Sequence, residues 1–407
     1  MSIKESWEYA EADTQQHVHG LHPYPARMIP QIAHRLIREW SEEGDTVLDP
    51  FCGSGTVLVE ALLQNRNAVG VDINPLAYII AKVKITKLNP DLVNQEIESI
   101  LDEVQQKMEF FREGTYNVKT YIFNNIFHWF KRDVADKLTI IKESIVDEKY
   151  RNEDIFNLLQ VCFSMTIRKA SNIAFEDNPY FIRSKTGEDL KKHSPDVLKI
   201  FQEQVMDAVL RLNEFSKLCP NSVKCSVYET DARVLPLEDN SIDLIVTSPP
   251  YGEESHTMSY SRFAKLSLLW FGMTPSDLRY VERRTLGGNE VPLRPLTENL
   301  DLQLNEISKK NEKRAKEVFS FIWSYKNCLK EMYRVLAPNS YIGIVIGDRS
   351  AAGVPVSNGI ITKQLGELMG FKQVIAYQRE IPKKVLPRRD YKVELINKEH
   401  IIIMKKP

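Results

Sequence analysis

Two short segments carry residues whose types and spacing suit chemistry. The first is Asp49-Pro50-Phe51-Cys52-Gly53-Ser54-Gly55-Thr56, placed between a run that reads as a strand and one that reads as a helix. Its glycines let the backbone turn sharply and let a ligand approach with no Cβ in the way. The helix that follows offers free N–H groups and the positive end of its dipole, a setting for a carboxylate or phosphate. Further on, Asp72 ends the next strand, where an acidic side chain accepts hydrogen bonds from ribose hydroxyls. Gly55 is followed by Thr56-Val57-Leu58, so the dinucleotide fingerprint G-x-G-x-x-G is absent, and no Gly-Lys-Ser/Thr follows to make a P-loop. The combination predicts a nucleoside cofactor without a pyrophosphate.

The second segment is Ser248-Pro249-Pro250-Tyr251-Gly252, at the C-terminal end of a strand-like run. Open α/β sheets place their ligands there. Two prolines fix the backbone and remove two N–H donors, which leaves an acceptor-rich wall. Such a wall suits an amino group that must give up its hydrogens. Ser248 Oγ and the Pro249 carbonyl are the expected acceptors, and Tyr251 offers a flat face for a base rotated out of its stack.

The elements that must position these residues follow from periodicity. TVLDPF and AVGVDI read as buried strands around VLVEALLQN, whose apolar residues have helical spacing, so residues of about 15–85 hold a βαβ unit and a parallel sheet. Residues of about 86–222 are helical in pattern, as in LVNQEIESILDEVQQKMEFF and DVLKIFQEQVMDAVLRLNEFSKL. From about 223 to 407 strands and helices alternate again, through VKCSVYETDAR, SIDLIVTSPPYG, FIWSYKNCLKEMYRVL, YIGIVIGD, ITKQLGELMGF, KQVIAYQRE and HIIIMKK. The expected fold is α/β, with a doubly wound, mainly parallel sheet and a large helical insertion. A polar stretch at about 273–316 reads as a mobile loop, and Ala337-Pro338-Asn339 as a turn.

With these residues in place, the sequence resembles the amino-methyltransferases of DNA. In that family DPFCGSGT is the cofactor loop, Asp72-Ile73-Asn74-Pro75 ends the second strand, and a [DNS]-PP-[YFW] tetrapeptide is the catalytic loop. The segment from His22 to Ile32, HPYPARMIPQI, resembles the piece that packs over the methionine part of the cofactor, which implicates Tyr24, Pro25 and Ala26. Thr230-Asp231-Ala232-Arg233 resembles the strand end beside the cofactor's adenine, which implicates Asp231 and Ala232, and Arg334 to Pro338 is similar to the family's RVLKPGG turn. The resemblance implies a Rossmann-like methyltransferase sheet, S-adenosylmethionine as cofactor, and in-line transfer of its methyl group to an amine with no covalent enzyme intermediate. Positioning and acceptors, rather than a strong base, would then carry the rate. Cytosine C5 chemistry needs a nucleophilic cysteine, usually in a Pro-Cys pair, and none occurs.

Serine at the head of S-P-P-Y favours cytosine N4, with adenine N6 the alternative. Guanine-N2 methyltransferases of structured RNA share a similar cofactor loop and a PPYG loop, but generally carry an RNA-binding domain ahead of the core, where this chain has only about twenty residues. A DNA-binding subunit without catalysis is the non-enzymatic alternative. Family habit also suggests a cognate restriction endonuclease or defence-system subunit as partner, and the helical insertion as a target-recognition piece.

Composition bounds the rest. The 407 residues are 43% hydrophobic, five cysteines form no CxxC pair, and eight histidines form no ligand-spaced cluster, so neither disulfides nor a metal is expected. No apolar run spans a bilayer and the N-terminus is too polar for a signal peptide, which points to the cytoplasm. A net charge of −1 requires any nucleic-acid contact to use a local basic face. Lys383, Lys384, Arg388 and Arg389 are candidates for phosphate contact. The segments from Arg168 to Asn172 and from Asn178 to Arg183 are read either as DNA contacts or as insertion surface. The acidic stretch from Glu253 to Thr257 reads as a disordered lid, with His256 positional.

Overall fold

The computed structural model describes residues 6–87, 90–146, 152–174, 184–254, 256–257, 259–381 and 398–407. Nine strands occur among them, in chain order β1 (Thr46–Asp49), β2 (Asn67–Asp72), β3 (Cys225–Glu229), β4 (Ile242–Thr247), β5 (Leu336–Gly347), β6 (Arg349–Ala351), β7 (Val354–Val356), β8 (Lys372–Glu380) and β9 (Lys398–Lys405). Seven make one sheet in the order β3-β2-β1-β4-β5-β9-β8, and β6 with β7 forms a short hairpin. Pairing is parallel from β3 through to β5, whereas β9 runs antiparallel to both β5 and β8. The central strands are short and apolar, with Val47, Leu48, Ile245 and Val246 fully buried, as expected for strands covered on both faces. The order reverses between β1 and β4, and a ligand crevice opens at such a reversal, beyond the C-terminal strand ends.

The helices are α1 (Pro30–Trp40), α2 (Thr56–Leu63), α3 (Pro75–Ile85), α4 (Pro90–Arg112), α5 (Ile126–Trp129), α6 (Arg132–Val146), α7 (Glu153–Ala170), α8 (Gly187–Lys192), α9 (Val197–Leu218), α10 (Tyr260–Trp270), α11 (Pro275–Arg284), α12 (Glu298–Lys310), α13 (Glu312–Val335) and α14 (Asn358–Met369). α1 and α3 both start on a proline, which forgoes an N–H that would be unpaired anyway. The run between α3 and β3 is the helical segment α4 to α9. It shares one apolar core with α3 and α10, in which Ile80, Ile100, Phe163, Phe201 and Trp270 are buried together. None of the helices among the described residues is long and apolar enough to cross a membrane.

Two expectations are corrected. The stretch 273–316 is folded, not a mobile loop: α11 begins with a capping box between Thr274 and Asp277, and α12 buries Leu300, Leu304 and Ile307 at helical spacing. Its many charges lie on the outward faces and mask that spacing in the sequence. Ala337-Pro338-Asn339 does not break the chain into a turn either. It lies inside β5 as an irregularity in the pairing with β4, with Asn339 at φ +67 accommodating the extra length.

A candidate cofactor and target-amine cleft

Local backbone geometry explains the first motif. After β1 the chain turns through Gly53 (φ +50) and Gly55 (φ +83), and Gly55 is the N-cap of α2. These are left-handed conformations that side chains resist. A Cβ on Gly53 would stand 3.2 Å from the Tyr24 ring, so the loop needs glycine where the segment from His22 lies against it. Tyr24 is itself buried and stacks on Tyr260 with centroids 5.9 Å apart. His22 anchors the segment: its Nε2 pairs with Ser164 Oγ at 2.9 Å on α7 and its Nδ1 lies 2.6 Å from the Pro23 carbonyl. Burial, then the nearby Arg168 charge, lowers His22 to about 3, so it stays neutral.

Two carboxylates brace the loop from below. Asp49 Oδ1 accepts from Phe51 N at 3.0 Å and from Thr247 Oγ1 at 2.7 Å, joining β1 to the end of β4. Asp72 Oδ2 accepts from Gly53 N at 2.9 Å, and its Oδ1 from Asn74 N at 2.8 Å. The Asp72 carboxylate keeps acceptor capacity for a ligand hydroxyl. Asn74 in turn caps α3 by accepting from Leu76 N. Burial pushes Asp49 up to about 7, with the Asp72 charge adding to it, and pushes Asp72 up to about 6.

The second motif meets the first in one cleft of about 970 Å³, counted to its open mouth. Tyr24, Pro25, Ala26, Asp49, Pro50, Phe51, Cys52, Gly53, Ser54, Thr56, Asp72, Ile73, Asn74, Asp231, Ala232, Ser248 and Pro250 all line it. Gly55, Pro249 and Tyr251 do not. Gly55 acts through the turn. Pro249 is buried, and Tyr251 packs against the core around α13 and β5. The Tyr251 hydroxyl donates to Glu399 Oε1 at 2.9 Å and lies 3.4 Å from Ser248 Oγ, while its carbonyl accepts from Asn358 Nδ2 at 2.9 Å. Tyr251 thus turns its hydroxyl, rather than a bare ring face, towards Ser248.

The cleft fits a nucleoside cofactor on the residues present. Ser54 Oγ is buried with no hydrogen-bond partner among the described residues, at the start of α2 where unpaired N–H groups also face outward. Asp231 takes two bonds from the Arg233 guanidinium, at 2.9 and 2.6 Å, and a third from its backbone N–H at 2.9 Å, and Arg233 also donates to the Arg284 carbonyl. Burial alone would raise the Asp231 carboxyl, yet the Arg233 hydrogen bonds outweigh it and hold the group below its ordinary value.

Several cleft residues carry no signal in the sequence: Tyr260, Arg284, Thr285 and Leu286. They arrive from α10, α11 and adjoining loops, and no spacing relates them to either motif. Glu254 caps the start of α10, accepting from Ser261 N and Oγ, and burial raises its carboxyl. Nor are the described residues after Gly252 a disordered lid. Glu253 is buried and bound to Arg349 and Arg314, and His256 Nδ1 lies 3.0 Å from Arg314 Nη1. Arg168 is not an exposed DNA contact: it is buried, donates to the Phe263 carbonyl and stacks over that ring. Lys383, Lys384, Arg388 and Arg389 lie outside the described residues, as does the segment from Asn178 to Arg183.

A sequence profile described as DNA methylase matches residues 2–83. The type II methyltransferase M.MvaI of Kocuria varians is 30% identical over 403 residues, covering 94% of this chain and 88% of that protein. The type II methyltransferase M.BsoBI of Geobacillus stearothermophilus is 25% identical, with 90% of this chain and 81% of that protein covered. A tRNA (guanine(10)-N2)-dimethyltransferase of Methanothermobacter thermautotrophicus is 42% identical, but only over 52 residues, 12% of this chain and 16% of that protein. The chain belongs to the DNA methylase family of N6- and N4-amino methyltransferases.

Proposed function

We propose that the protein methylates cytosine N4 at specific sites in DNA, taking the methyl group from S-adenosylmethionine. The observation that carries this reading is the position of Ser248 at the end of β4, in the same cleft as the glycine-turned loop and Asp72. DNA rather than RNA is supported by similarity to type II methyltransferases along nearly the whole chain, against a short local match to the RNA enzyme.

The cofactor supplies an electrophilic methyl group when bound. Ser54 and the first N–H groups of α2 would hold its carboxylate, and Asp72 its ribose. Ser248 Oγ and the Pro249 carbonyl accept the two N–H bonds of the target amine, which turns the nitrogen lone pair towards the methyl group. This is catalysis by orientation and by acceptors fixed in advance. The segment 86–222, which carries α4 to α9 between β2 and β3, reads the target sequence in this proposal, and a cognate restriction endonuclease is its proposed partner.

Incubation with labelled cofactor and mixed-sequence duplex DNA, then digestion to nucleosides, tests the proposal. Label in N4-methylcytosine is expected. Label only in N6-methyladenine moves the target, and transfer to RNA alone overturns the substrate.

A further inference from the structure

Methylation of an exocyclic amine leaves the nitrogen with one proton too many, and the side chains behind Ser248 lead away from that nitrogen. Ser248 Oγ lies 3.4 Å from Tyr251 Oη, and Tyr251 Oη donates to Glu399 Oε1 at 2.9 Å. Glu399 stands on β9, in register with Gly347 of β5 and Arg379 of β8, and its side chain is 17% exposed. The three oxygens connect the amine's acceptor wall to a partly exposed carboxylate. The first gap is long for an O–H···O bond, as catalytic hydrogen bonds often are before substrate tightens them.

We propose that Ser248, Tyr251 and Glu399 form a proton relay, with Glu399 as its terminal acceptor. The inference rests on the function proposed above but needs only an amine, so it holds for cytosine N4 and adenine N6 alike. As the nitrogen bonds the methyl carbon, the carbon–sulfur bond breaks and its electron pair goes to sulfur. In the same step one N–H bond breaks, leaving its pair on nitrogen, so that the acceptor acts in the transition state. That proton passes to Ser248 Oγ, the serine proton to Tyr251 Oη, and the tyrosine proton to Glu399 Oε1. The carboxylate becomes a carboxylic acid and loses the proton to water.

A positively charged ring amine has lost its conjugation and is far more acidic than a carboxylic acid, so a carboxylate suffices as acceptor. Tyr251 need not ionise: burial, then the Glu399 charge, hold the phenol well above its ordinary value, and it passes a proton while staying neutral. Arg379 of the neighbouring strand faces Glu399 across the sheet. Arg379 on β8 is buried, with Nε 3.6 Å from Glu399 Oε2, and so holds the carboxylate with Oε1 towards Tyr251. His400 beside it on β9 is occupied by Asp348 at the end of β5. Glu399 touches neither base nor cofactor in this scheme and acts through Tyr251.

The test compares single-turnover methylation of duplex DNA by the wild type, Glu399→Gln, Glu399→Asp, Tyr251→Phe and the Gln/Phe double variant, across pH, with KM for DNA and cofactor. Glu399→Gln is expected to slow transfer roughly 10²-fold at neutral pH with both KM values unchanged, the deficit shrinking as pH rises and hydroxide takes the proton. Tyr251→Phe should match it, the double variant should lose no more, and Glu399→Asp should recover part of the rate. A Glu399→Gln variant as fast as the wild type overturns the relay, as does a deficit that is equal at every pH or appears in KM. If Glu399→Gln does not fold, Tyr251→Phe, which removes only the hydroxyl, tests the relay by the same outcomes. No transfer by the wild type overturns the proposed function and the relay with it; transfer by wild type and Glu399→Gln alike overturns the relay alone.

Discussion

Arg349 grips Glu253 with both arms of its guanidinium, Nη1 to Oε2 at 2.8 Å and Nη2 to Oε1 at 2.9 Å. Arg314 adds a third bond to Oε2 at 2.9 Å, and all three side chains are buried. Burial alone would raise the Glu253 carboxyl, but the two arginines hold it below its ordinary value, so it is a carboxylate in the fold. The pair clamps the residue directly after the S-P-P-Y-G loop. Arg349→Met leaves Glu253 short of a partner in the interior and should destabilise the protein by about 3–5 kcal/mol. Arg349→Lys should rescue little, since a point charge cannot reproduce the fork. Urea unfolding at constant m value measures both, and a loss below about 1 kcal/mol for Arg349→Met would contradict the clamp.

Gly252 meets the same guanidinium. A Cβ there would lie 2.8 Å from Arg349 Cζ and 2.7 Å from Thr257 Cγ2, closer than real contacts allow. Gly252→Ala must shift either the clamp or the loop that carries Ser248. Displacements of this kind cost on the order of 10²-fold in rate, and the added methyl group faces Arg349 and Thr257 rather than the cofactor loop. Methyl transfer should fall by about that factor while cofactor affinity measured by calorimetry stays put. A fully active Gly252→Ala would show that the loop is not held by contact with Arg349.

Ser248→Ala removes an acceptor without opening the fold, because the two prolines still set the backbone. Loss of one such preorganised group costs about 10²–10³ in rate. Single-turnover transfer should drop by that amount with cofactor affinity unaltered, since the cofactor-loop contacts of Asp49, Asp72 and Gly53 are independent of the hydroxyl. Unchanged transfer would remove Ser248 from the chemistry.

The sheet is legible in the sequence because its strands are short apolar runs bounded by Gly, Pro and Asp, and because the two motifs sit at strand ends. Ser54, Asp72 and Ser248 are legible for the same reason: a strand end in an α/β sheet is a known place for a ligand. Tyr260 and Arg284 are not, because each reaches the cleft through tertiary packing of α10 and α11. The Glu253 clamp reads as a lid in the sequence because its partners stand at 314 and 349, and an acidic run without them looks solvated. In α12 the positions of Leu300, Leu304 and Ile307 hold the helical period, but charged neighbours outnumber them. Tyr251 shows a subtler limit. Its place in the motif is plain, whereas the Glu399 carboxylate that turns its hydroxyl comes from β9, in a different part of the chain.

Cofactor affinity should depend on pH through the Asp49 and Asp72 carboxyls. Burial raises Asp49 to about 7 and Asp72 to about 6. The raised carboxyls favour the protonated form in the cofactor-free fold, while a ligand carrying sulfonium and ammonium charges favours the ionised form. Binding therefore releases protons below these values, and affinity rises with pH up to about 7 and then levels off. The two groups interact, so the midpoints belong to the pair. Calorimetric titration from about pH 5 to about pH 8 in buffers of different ionisation enthalpy would count the protons. Asp72→Asn should weaken binding and flatten the profile; an affinity independent of pH would show that the cofactor does not sense these charges.

Lys84 is fully buried on α3, and its Nζ has no hydrogen-bond partner among the described residues. Burial, with Arg27 and Arg211 nearby, drives its pKa well below the ordinary value, so the fold disfavours the charged form that the unfolded chain carries. A depressed lysine costs stability at every pH below its unfolded value, and the cost fades as pH approaches about 10.4. Lys84→Met keeps the stem and deletes the unsatisfied amine. It should stabilise the protein at neutral pH by on the order of 1–3 kcal/mol, with the gain shrinking towards about pH 10. Chemical unfolding at the two pH values decides the matter. If Lys84→Met is destabilising at both, the amine is satisfied in solution by a group such as ordered water, and its burial is not a cost.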